Sequence, residues 1–324
     1  MFIIKDKQLR KRISIFLHFA SYKIKSDFPK SERFKLDDID FMGKLASKRH
    51  RSAIKNLREA LPLELTYAFL GVMALFALHA AVFDRKGKDK KNPITKKWLK
   101  KGQHPDPNFI FGNFLSTLTN SAFGVLYLAE SGLDYPSRVL FRCLSEQFAL
   151  ALLISSDRDA FNDFVDFKDE EQERKLWRQK FTPAKLNRAL ERLDKGLGLA
   201  PDLVTNLARW RKNGYTFRSL FAHGTFAGAV VPAFVGSLNN YEALEISIFG
   251  AASVGIKNTL IDLNHWIVYF LSMIWSIFYK IHKFKLDLND DLWRVAIIMK
   301  NIYVGEWAKY CIESAKTQRN SHKK

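Results

Sequence analysis

Residues 66–78 carry no charged side chain, and this run constrains the fold more than any other part of the chain. A helix with no polar side must be enclosed, either by protein or by lipid. A bilayer span wants about 20 predominantly apolar residues, whereas Glu64 stands at one end of this run and His79 just beyond the other. Its length therefore favours a helix over residues 61–83 buried in protein, with a membrane segment as the alternative.

The remaining apolar segments have helical spacing. Residues 109–130 read as one helix, stopped by Ser131-Gly132. Residues 135–155 read as the next, with Asp134 as N-cap and Pro136 in the first turn, where a missing N–H is harmless. A charged helix over 186–194 ends at Gly196 and Gly198, and 201–212 forms another that ends at the turn Asn213-Gly214. Residues 241–283 supply one or two long apolar helices, and Asn289 or Asp290 caps a last one running to about 315. No segment shows the alternation of a half-buried strand. The expected fold is an all-α helical bundle with a basic, mainly helical N-terminal extension, in which a helix over 9–22 is interrupted around Pro29. The expected segments are 1–103, a bundle over 104–285, and a C-terminal helix and basic tail over 286–324.

Charge narrows the partners. Lys and Arg number 52 against 33 Asp and Glu, a net +19, while 47% of residues are hydrophobic and 27 are Phe. Such a chain has enough apolar bulk for a core, and its positive field attracts polyanions, with RNA the first to consider. The densest run is Arg85, Lys86, Lys88, Lys90, Lys91, Lys96, Lys97, Lys100 and Lys101, which reads either as a solvated linker or as an RNA-binding strip in contact with phosphates. Cys143 and Cys311 each sit in an apolar helical stretch and read as core thiols of a reducing compartment. The N-terminus lacks the order of a secretory signal, so a cytoplasmic protein is expected.

The eight histidines show no close metal-ligand spacing, and no phosphate loop, dinucleotide fingerprint or serine elbow is present, so neither a metal nor a cofactor is expected. What stands out is Arg218 and His223 in the segment Tyr215-Thr216-Phe217-Arg218-Ser219-Leu220-Phe221-Ala222-His223. Five helical residues turn about 500°, so the two side chains converge best at a helix end or kink. An imidazole moves a proton to or from a ribose hydroxyl, and a guanidinium holds the phosphate; the pair cleaves RNA with no metal.

This R-x4-H pattern in an all-α setting resembles the signature of the HEPN superfamily, many of whose members are ribonucleases of toxin, abortive-infection and other antiviral-defence systems. The resemblance extends to the helix Pro136-Ser137-Arg138-Val139-Leu140-Phe141-Arg142-Cys143-Leu144-Ser145-Glu146, which is similar to the R-x-x-x-E helix preceding the R/H segment in HEPN-like bacterial families. It covers residues 105–285. It implies a metal-independent endoribonuclease forming a 2',3'-cyclic phosphate, with Arg218, His223, Glu146 and Arg142 as the catalytic set. It also implies a homodimer with a composite site, for which the apolar residues 266–279 are either core or interface, and an antitoxin or defence-system partner protein. Two positions depart from the pattern. Thr225 stands where toxins paired with nucleotidyltransferase antitoxins carry a modifiable tyrosine, and Ser219 stands where asparagine is usual. The alternatives are a non-catalytic HEPN-like module binding RNA or a partner, and a membrane-associated helical protein.

Overall fold

The uncharged run lies in α3 (Pro62–Phe83), preceded by α1 (Lys7–Asp27) and α2 (Leu36–Ala60), in a computed structural model. The structure describes residues 7–27, 36–83, 92–95, 98, 106–166, 169–222, 234–238, 244–246 and 250–321. Then follow α4 (Pro107–Glu130), α5 (Asp134–Ser156), α6 (Arg158–Val165), α7 (Glu170–Leu176), a π turn (Trp177–Phe181), α8 (Pro183–Gly196) and α9 (Pro201–Ala222). A hairpin of two three-residue strands, β1 (Phe234–Gly236) and β2 (Leu244–Ile246), departs from the expectation of helices alone. It leads to α10 (Val254–Lys280) and α11 (Asp291–Ser321). The protein is all-α in class.

Three tiers follow from which faces are apolar. α3 lies between α4 and α11, α5 and α10 form the tier behind, and α8 and α9 close the far side of α5. α10 is the central element. Ile256, Leu260, Leu263, Ile267, Phe270, Ile274 and Ile277 recur at three- and four-residue spacing and are all fully buried. Trp266, Leu271, Trp275 and Phe278 on its other faces are buried too, so residues 266–278 belong to the core, while Tyr279 is exposed. α3 of the first expected segment and α11 of the third pack on this same core.

Local signals placed several helix ends. Gly132 takes φ +77 after α4, and its N–H returns to the Ala129 carbonyl. Asp290 accepts from the Leu292 and Trp293 amides to cap α11. Elsewhere tertiary contacts overrode the local reading. Asp134 is not the N-cap of α5; Leu133 holds that position, and the Asp134 carboxylate instead receives Arg138 Nε and Nη2 at 2.7 and 2.8 Å. Cys143 is exposed and Cys311 half-buried, so neither is a core thiol. Gly196 is the last residue of α8, and the break comes at Gly198, with φ +81.

Candidate functional site

Asn213-Gly214 forms no turn. α9 continues through both residues to Ala222, which places Arg218 just over a turn before the helix's C-terminal end. A methyl group at position 214 would come within 2.9 Å of Arg218 Nη1, so the glycine is where the arginine folds back across its own helix. Arg211, Tyr215 and Arg218 sit at four- and three-residue spacing and so share one face, whose side chains reach α5 and α10.

Arg218 is 2% exposed. Its Nη1 donates to Asp262 Oδ2 of α10 at 3.2 Å, and its Cζ lies 4.7 Å from the Phe141 ring centroid. Its Nε and Nη2 are buried without a partner. On α5, Arg142 Nη2 donates to the Tyr215 hydroxyl at 3.1 Å, and Arg142 Nε stands 3.4 Å from Glu146 Oε1 in an ion pair without hydrogen-bond alignment. Burial pushes the Glu146 carboxyl above the usual carboxylate range, opposed by the charges of Arg142 and Arg218. Burial likewise works against the charge of Arg218, which Asp262 and Glu146 support. Arg142, Glu146 and Arg218 thus meet from two helices about 70 positions apart in the chain. Arg138, one turn before Arg142 on the same helix, is paired with Asp134 instead.

A second cluster on the same face of α9 has no motif behind it. Arg211 donates from Nε to Asn187 Oδ1 at 2.8 Å and from Nη1 to both Asp194 Oδ2 and the Tyr269 hydroxyl at 2.9 Å. The Tyr269 hydroxyl donates to Asp194 Oδ1 at 2.7 Å. The only sequence signal for it was Arg211 two turns before Arg218; its partners come from α8 and α10.

Between α5, α8 and α9 a cavity of about 390 Å³ opens, with Arg211, Arg218, Tyr215 and Glu146 among its walls. The expected base His223 lies outside the described residues, as does the whole RNA-binding strip Arg85, Lys86, Lys88, Lys90, Lys91, Lys96, Lys97, Lys100 and Lys101. Among the described residues no three His, Cys, Asp or Glu side chains converge as a metal site would require. The arrangement offers buried positive charge beside a carboxyl with a raised proton affinity. Comparison with protein-family models, with curated proteins and with solved structures finds no match.

Proposed function

We propose that this chain is a metal-independent endoribonuclease of the HEPN type, acting as a toxin or antiviral-defence effector. One observation carries the reading: Glu146 of α5 and Arg218 of α9 line one cavity and Arg142 forms an ion pair with Glu146 beside it, the three residues that the resemblance groups together. The phosphodiester enters by the cavity, since Arg218 is covered by Phe141 and Asp262 elsewhere. His223, one position after the last residue of α9, takes the proton of the ribose 2'-hydroxyl. The 2'-oxygen then attacks phosphorus, the bond to the 5'-oxygen breaks, and a 2',3'-cyclic phosphate results, with Arg218 offsetting the charge on the phosphoryl oxygens. A second copy completes a composite site, and an antitoxin or defence-system partner restrains it.

The test is incubation of the protein and its His223→Ala variant with RNA in excess EDTA. Cleavage by the first and a loss of at least 100-fold in the second are expected. RNA bound with a steep salt dependence yet left intact would mean the non-catalytic alternative.

A second reading rests on a different face. Leu63, Phe69 and Phe76 of α3 and Phe109, Phe123 and Tyr127 of α4 are each exposed, with no Lys, Arg, Asp or Glu between Glu64 and Phe83 or between Pro107 and Ala129. α3, α4, α5 and α10 are long and apolar enough to cross a membrane by length and composition. In this reading the α3–α4 face rests against lipid. Retention in the membrane fraction after an alkaline wash supports it; full release excludes it.

A further inference from the structure

The cavity beside α9 is unusual in what its walls lack. Arg211 Nη2, Arg218 Nε and Nη2, and Trp266 Nε1 are all buried with no hydrogen-bond partner, and all three residues line this one space. Each such nitrogen left unpaired costs roughly 1–3 kcal/mol, so four at one place mark a deficit that something else makes good. All four are donors. What they lack is an acceptor.

The other walls say what kind of acceptor. Ala149, Pro183, Leu186 and Leu190 form an apolar side, and Arg188 and Lys212 stand exposed at its edge. Asp194 and Asp262 balance Arg211 and Arg218 from behind, and among the described residues Glu146 is the one carboxylate on the wall. Positive charge therefore remains in excess around a space whose size falls in the range of about 300–1,000 Å³ usual for small-molecule sites.

We propose that this cavity binds a small amphipathic anion: an apolar body against Ala149, Leu186 and Leu190, and a single carboxylate or phosphate head on the guanidinium groups of Arg211 and Arg218. A planar guanidinium offers two parallel N–H groups to such a head. The four nitrogens lie within the wall rather than on its open surface, so binding includes a side-chain adjustment that brings them to the ligand. The anion would take the same cavity and the same Arg218 that the ribonuclease reading gives to the phosphodiester, but the inference does not depend on RNA cleavage. It needs Arg211, which the ribonuclease reading does not use, and it does not need His223.

Two anions of this chemistry from different sources serve as probes, adenosine 5'-monophosphate and decanoate, each titrated calorimetrically into the full chain beside its neutral counterpart, adenosine or decanol. Saturable binding of at least one anion, at least tenfold tighter than its neutral counterpart, is expected; which one binds tells a nucleotide head from a fatty-acid head. Removing Arg211 would strand the buried Asp194 and destabilise the fold, so the variants are Ala184→Trp, at an exposed wall position where the indole fills the space, and Trp266→Phe, which removes one donor. Ala184→Trp, shown folded by circular dichroism, should weaken binding at least tenfold, and Trp266→Phe should weaken it less. No saturable binding of either anion, equal binding of the neutral compounds, or unchanged affinity in Ala184→Trp each overturns the proposal.

Discussion

Two arginines seven residues apart on one helix face live in opposite circumstances. Arg211 spends two of its three nitrogens on three partners, in a network closed by the Tyr269 to Asp194 bond, and Asp194 is fully buried. Arg218 has a single long bond to Asp262, whose side chain is 34% exposed, and leaves two nitrogens without partners. The first arrangement, in which only Nη2 lacks a partner, is close to the satisfied form of a polar network that fixes how helices meet. The second is under-satisfied, and in a native fold such a deficit is a sign of a site rather than of a strut. The difference comes from the partner helices: α8 presents Asn187 and Asp194 squarely to Arg211, whereas α5 presents Glu146 to Arg142 first.

The sharpest way to break this contrast is to remove the two aspartates in turn. Asp194→Ala leaves a buried guanidinium without its counter-charge and should cost about 3–5 kcal/mol, read as a lowered urea midpoint. Asp262→Ala removes a longer bond to a partly exposed carboxylate, so about 1–2 kcal/mol is expected. Equal losses would erase the distinction between strut and site.

A smaller effect probes Glu146. Burial raises its proton affinity in the folded state, so the folded protein holds this proton more tightly than the unfolded chain, and the wild type loses stability as pH rises above the ordinary value of 4.5. Glu146→Gln lacks that loss. The stability difference between variant and wild type should therefore move in favour of the variant from pH 4 to pH 8, by less than about 1 kcal/mol once screening by Arg142 and Arg218 is counted. A difference that stays flat would place Glu146 in a solvated setting.

The smallest expected effect lies outside both clusters and calibrates the pH scale. His282 accepts from the Thr95 amide at Nδ1 and faces the Ser155 carbonyl at Nε2, and burial pulls its proton affinity below the ordinary 6.5. The unfolded chain takes up this proton first, so stability falls as pH drops below 6.5 toward the lowered folded value. His282→Gln should flatten that slope by a fraction of a kcal/mol in urea titrations at pH 7 and pH 5.

How much of this could be read from the chain differs residue by residue. α4 and α5 were visible because their apolar spacing and their stop and start signals are local, within a few residues of Ser131-Gly132 and Pro136. The strands β1 and β2 were not, since three residues are too few to show alternation. Asn213-Gly214 looked like a turn because that dipeptide has strong local preferences, and the packing of Arg218 over Gly214 outweighs them. The grouping of Arg142, Glu146 and Arg218 was legible through a shared motif order. The Arg211 network was not, because Asn187, Asp194 and Tyr269 carry no spacing that ties them to Arg211.

The sequence by itself determined the class of fold, since long apolar runs at helical spacing can bury themselves only as packed helices, and it determined the excess of positive charge. Only the tertiary structure decided which of the buried arginines is the better satisfied. Hydrogen-bond satisfaction depends on where side chains from distant helices arrive to within a few tenths of an ångström, and no local pattern encodes that.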